Sequence, residues 1–76
     1  MVTMKRDGKM KIEVRADDHQ PAHFHVTSPN SSFVVSIETL EVIRGEGEAD
    51  ELRRAVEWVR ENLETVIAEW RKYHER

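Results

Sequence analysis

The chain has 76 residues, no cysteine and a formal net charge of −3. That length gives a single domain, residues 1–76, with a thin core, since so short a chain buries only roughly 60% of its unfolded surface. The composition excludes a disulfide framework and a thiolate zinc site, and the net charge argues against a generic polyanion binder.

The charge is uneven. Residues 1–15 hold five bases against two acids, whereas the segment after Arg44 holds nine acids and six bases. A locally basic N-terminal half can therefore still meet phosphate. Residues 1–10 carry Lys5, Arg6, Asp7 and Lys9 and no apolar run. Neither a signal peptide nor a membrane span is expected, and the expected location is cytoplasmic.

Asp7-Gly8 is a turn signal, so Val2 to Lys5 is expected to pair back as a short edge strand. Met10, Ile12, Val14 and Ala16 alternate with Lys9, Lys11, Glu13 and Arg15, the period of a half-buried strand. Asp17 to Ala22 reads as a loop, because Pro21 lacks a ladder donor and biases Gln20 to extended geometry. His23 to Thr27 resumes the alternation, and Ser28 to Ser32 reads as a second loop. Phe33 to Glu38 is a third alternating strand. Glu38 to Glu41 is a tight turn, Val42 to Arg44 a short return strand, and Gly45-Glu46-Gly47 the end of the sheet.

From about Ala49 the period becomes helical. Leu52, Val56, Val59, Leu63, Val66, Ile67 and Trp70 form one stripe, with acids at the start and bases at the end, as the helix dipole favours. The expected fold is α+β: a small, mostly antiparallel three- to four-stranded sheet, with one long C-terminal helix to about Tyr73 packed on one face. Such a helix is about 35 Å long at 1.5 Å per residue and a strand only about 20 Å, so its last turns should overhang. Trp58 lies off the stripe, either over the core edge or as an interface anchor. Trp70 and Tyr73, on the expected overhang, read the same two ways. An overhanging helix on so small a core predicts a homodimer or a tight complex.

Three of the four histidines lie within one short run, Asp17-Asp18-His19-Gln20-Pro21-Ala22-His23-Phe24-His25-Val26. Side chains alternate across a strand, so Phe24 and Val26 face the core while His23 and His25 share the other face, about 6.5–7 Å apart. If the flanking strands pair as a hairpin, that outer face carries His23, His25, Lys11 and Arg15, with Asp17, Asp18 and His19 at its rim. Three readings follow. The imidazoles bond loop carbonyls and are structural. Or one histidine takes the proton of a ribose 2′-hydroxyl and the other donates to the leaving oxygen, with Lys11 or Arg15 stabilising charge. Or His23, His25, His19 and an aspartate bind a transition metal. No tightly held metal and no cofactor is expected.

The run Ala16-Asp17-Asp18-His19-Gln20-Pro21-Ala22-His23-Phe24-His25-Val26 carries a resemblance. So do Gly8 before it, Ile37 to Val42 and Gly45 after it, and a helix bearing Trp58 and Trp70. The chain resembles a small prokaryotic domain-of-unknown-function family whose signature is Pro-Pro-His-(Phe/Val/Ile)-His-Val after a strand. Pro21, His23 and His25 occupy the motif positions. Ala22 stands where many members have a second proline, and Leu40 where a glycine is common. The resemblance implies a toxin-like component of a toxin–antitoxin-type pair that binds a small cognate protein; it names no reaction, and metal-free endoribonuclease action on RNA is the activity that the histidine face itself suggests. Asp18, His19, Pro21, Trp58 and Trp70 are the candidate binding residues of this chain. A non-enzymatic interaction module with structural histidines and a histidine-based metal-binding domain are the alternatives.

Overall fold

The computed structural model describes residues 2–14 and 22–74. Its elements are β1 (Val2–Asp7), β2 (Met10–Val14), β3 (His23–Ser28), β4 (Ser31–Ser36), β5 (Val42–Glu46), α1 (Ala49–Glu61) and α2 (Leu63–His74). The strands form one antiparallel sheet in the order β1-β2-β3-β4-β5. The α+β class is as expected, but the sheet has five strands rather than three or four.

Short connections make this meander. Asp7 pairs with Met10 across Gly8-Lys9, and Gly8 has φ of 63°. A positive φ at the first central position suits a two-residue hairpin with strand-like twist, and only glycine adopts it freely. Ser28 pairs with Ser31, so the loop expected over Ser28 to Ser32 shrinks to Pro29-Asn30. Pro29 presets its own φ for a turn, and Ser28 Oγ accepts the Asn30 N–H at 3.1 Å. At the next turn Leu40 has φ of 60°. This is the left-handed region that glycine fills without strain. The turn is held by the Leu40 N–H on the Ser36 carbonyl (2.9 Å) and the Ser36 N–H on the Glu41 carbonyl (2.9 Å).

Gly45 does not end the sheet. β5 runs through it to Glu46, paired with Ser32. Gly45 has φ of 110°, and a Cβ there would fall inside van der Waals contact of the Ser32 carbonyl oxygen. Both edge strands are irregular: the register slips between Thr3 and Lys5 in β1, and opposite Val34/Val35 in β5.

Alternation divides the sheet. Ile12, Val14, Phe24, Val26 and Val35 are fully buried on one face, with Ala55, Val59 and Val66 of the helices and Trp70 at 4% exposure. Ala55 and Val59, one turn apart, are the buried centre of α1, while Leu52, Val56 and Trp58 pack half-buried beside them. Trp58 is thus a ring over the edge of the core.

Helix α1 begins without a side-chain cap of its own at Glu48. A serine of β4 substitutes for it. Ser31 Oγ accepts the Glu48 N–H at 2.9 Å and donates to Glu51 Oε1 at 2.5 Å, and Ser28 Oγ donates to the same oxygen at 2.8 Å. In an ordinary capping box the first and fourth residues bond reciprocally; here a hydroxyl from the sheet stands between them and ties the helix to the β3–β4 hairpin. These two hydrogen bonds hold the Glu51 carboxyl below its ordinary range.

The single long helix of the sequence reading is two helices. Asn62 ends α1 at φ −122° and ψ 29°, with its N–H shared between the Trp58 and Val59 carbonyls. Its side-chain amide donates to the Trp58 carbonyl at 2.9 Å, and such local bonds compete with helix continuation. The apolar stripe runs on through the break, which is why periodicity alone conceals it. The expected overhang fails at Trp70, which is buried in the core.

Candidate functional site

The polar face of the sheet is built by register. Glu13 lies directly opposite His25, and His25 opposite Val34. His23, first residue of β3, lies opposite Ser36. Lys11 lies opposite Thr27, one step along the same face, and opposite Arg6 on its other side. Directly opposite side chains on one face have Cβ atoms about 4.5–5.5 Å apart. Glu13, His25, His23 and Lys11 therefore form one contiguous patch.

Alternation assigns this face, and packing closes it. His23 is 9% exposed, His25 7% and Glu13 3%, and Ser36 is also buried; Lys11 is half-buried. The two imidazoles meet edge to face, ring centroids 5.2 Å apart with planes at 67°. The other side of His23 meets Trp70, again at 5.2 Å between centroids. Trp70 thus joins the helix layer to the histidine pair at the end of the sheet. Its ring is part of the protein's own packing rather than an exposed anchor.

Glu13 is the residue that sequence reasoning left out. Its outward parity on β2 is legible, but its place opposite His25 depends on where β2 and β3 come into register, which alternation within each strand does not fix. A buried carboxylate is rare unless partnered, and Glu13 here shares its face with two buried imidazoles. A carboxylate beside a histidine can fix the ring's orientation, the role of the third member of an acid–base triad.

Arg15, Asp17, Asp18, His19 and Pro21 lie outside the described residues, so the expectations placed on them concern residues the structure does not describe. Among the described residues, no group of three or more His, Asp or Glu side chains converges to hold a metal ion. No described helix is long and apolar enough to cross a membrane.

At the far end of the same face, an open groove of about 500 Å³ has walls that include Arg6, Gly8, Lys9, Lys11 and Thr27. The nearest acid in sequence, Asp7, faces the helix side and gives its carboxylate to Arg54 at 2.6 Å.

The sequence from the second strand through the histidine run to the second helix also matches a known family. The family model of "Domain of unknown function (DUF4160)" covers residues 9–71. The chain belongs to that family. The matched span takes in β2 to β5, both motif histidines, Glu13 and Trp70. No curated protein and no solved structure matches the chain.

Proposed function

We propose that this protein is the toxin-like component of a prokaryotic two-protein pair, restrained by a small cognate protein, and that it cleaves RNA without a metal. One observation carries the chemical half: His23 and His25 adjoin at 5.2 Å, with Glu13 opposite His25 and a cation, Lys11, one step along the same face. In-line cleavage next to a ribose 2′-hydroxyl needs a neutral base, a protonated acid and a positive charge near the transferring phosphoryl group. A histidine pair supplies the first two, Lys11 the third, and Glu13 the orienting carboxylate. Low exposure of both rings means that substrate approaches along the face, from Lys11 and Thr27.

The partner half rests on β5. It is an edge strand, exposed along its whole length, and it shows Val42 and Ile43 at 41% and 46% exposure. Exposed apolar side chains on an open strand edge suit addition of a partner segment.

The test is expression of wild type, His23→Asn and His25→Asn, reading growth arrest and cellular RNA integrity with and without the neighbouring gene's product. Each variant should lower cleavage by about 10²–10⁴-fold, the size of a general acid–base contribution. Coexpression of the neighbour should restore growth. Variants that fold and still arrest growth like wild type would refute the chemistry. The second reading then holds: a non-enzymatic module whose histidines are structural, a role that the tilted ring contact of His23 with Trp70 favours.

A further inference from the structure

We infer that the groove between the β1–β2 and β3–β4 hairpin turns is a binding subsite for the phosphodiester backbone of single-stranded nucleic acid. The inference rests on the RNA reading above and deepens it.

Arg6 and Lys11 are cross-strand partners, and Lys9 lies in the turn beside them. All three line one groove of about 500 Å³. No carboxylate is among its lining residues, and none of the ion pairs between described residues engages Arg6, Lys9 or Lys11. Asp7, the obvious neutralising neighbour, is turned to the opposite face and held by Arg54. On a chain with net charge −3, three cations lining one groove raise the local potential and attract a polyanion. Thr27 adds a hydroxyl of the kind that contacts phosphate and sugar. None of the described residues that line the groove is aromatic, so they offer bases no stacking platform. The contact is therefore to backbone, insensitive to sequence. Position agrees with chemistry: Lys11–Thr27 is the pair next to Glu13–His25 on one face, so a strand lying in the groove leads on to the histidines.

The experiment uses the full chain and two fluorescein-labelled probes of roughly 12 nucleotides. One is single-stranded RNA; the other is DNA of the same sequence, which lacks the 2′-hydroxyl and stays intact. Both probes should bind. Arg6→Gln and Lys9→Gln should each weaken binding of both and lower the slope of log Kd against log salt by about 0.7. Lys5→Gln, on the helix-side face of β1, should leave both unchanged. Failure of wild type to bind the DNA probe, or groove variants that bind like wild type, would overturn the subsite. So would displacement by polyglutamate as readily as by unlabelled DNA, which would assign the groove to an acidic protein segment. Groove variants that lose DNA binding while RNA is never cut would uphold the subsite and sink the cleavage reading. RNA cut with KM unchanged by Arg6→Gln and Lys9→Gln would do the reverse.

Discussion

The two faces of this sheet are buried to similar depth by opposite chemistry. On the helix side the closed residues include Met10, Ile12, Val14, Phe24, Val26, Phe33, Val35 and Ile37; on the other they include Glu13, His23, His25 and Ser36, with Val34 among them. Burying an aliphatic face stabilises the fold by roughly 25 cal/mol per Å². Burying a carboxylate and two imidazoles costs free energy unless each is bonded, and even then rarely beats an apolar substitute. A domain with so little core to spare has reason to retain such a cluster only if the cluster does something. The comparison locates stability on the apolar face, and the polar face is where the proposed chemistry would lie.

The largest effect should come from breaking the stabilising face. Phe24→Ala removes a fully buried ring and should cost about 3–5 kcal/mol, enough to leave the domain largely unfolded. Urea denaturation followed by far-UV circular dichroism measures it. A loss under about 1 kcal/mol would mean that the apolar face is not the main source of stability.

The polar face should answer differently. Glu13→Leu and His25→Leu should each destabilise by about 1–3 kcal/mol, since each leaves a buried group without its neighbour. Combined, they should cost less than the sum by at least about 0.5 kcal/mol, the signature of residues in contact. A double-mutant cycle in urea reads this coupling. Strict additivity would separate the two residues and remove Glu13 from the site. The combined variant should also be inactive although folded, which is the sharpest form of the contrast between the faces.

Third in size is the joint between helix and sheet. Ser31→Ala removes the hydroxyl shared by Glu48 and Glu51 and should cost about 1 kcal/mol. It also carries a pH dependence. Hydrogen bonds from Ser31 and Ser28 depress the folded-state pKa of Glu51, so its stabilising contribution is fully present above the unfolded value of about 4.3 and is lost as pH falls through the lower folded value. Wild type should therefore lose more stability on acidification than Ser31→Ala does, measured by urea midpoints from about pH 5 to about pH 3. Parallel curves would show that the serine is not what lowers the glutamate. Smallest of all, Arg54→Ala breaks an exposed pair with Asp7 and should shift stability by well under 1 kcal/mol.

Much of this was legible in the residues. The alternation of Met10 to Val14, of His23 to Val26 and of Phe33 to Ile37 gave three strands and their core sides, and the change of period after Gly47 gave the helical half. Asp7-Gly8 marked the first turn. The strand β5 was visible as Val42 to Arg44 but was cut short at Gly45, because glycine reads as punctuation even when it serves a close approach of two strands. The helix break at Asn62 was hidden, since an asparagine that bonds its own preceding turn leaves the apolar spacing intact. Face assignment was readable from parity, but burial was not: period two says which side a histidine takes, and nothing about whether that side is open. Hence parity assigns His23, His25 and Lys11 to one face, while the closure of that face and the position of Glu13 opposite His25 depend on register and packing that parity does not carry.

The irregular edges of the sheet bear on solubility. An open five-stranded meander offers two rows of unpaired backbone groups, and repeated head-to-tail pairing of such edges builds filaments. Here each outer strand carries a register slip, between Thr3 and Lys5 on one side and at Ile43 on the other. A bulge bends and twists the strand locally and spoils the straight template that another chain would need. A slip at Ile43 thus works against self-polymerisation along this exposed edge, and any partner that pairs with it must be shaped to its irregularity.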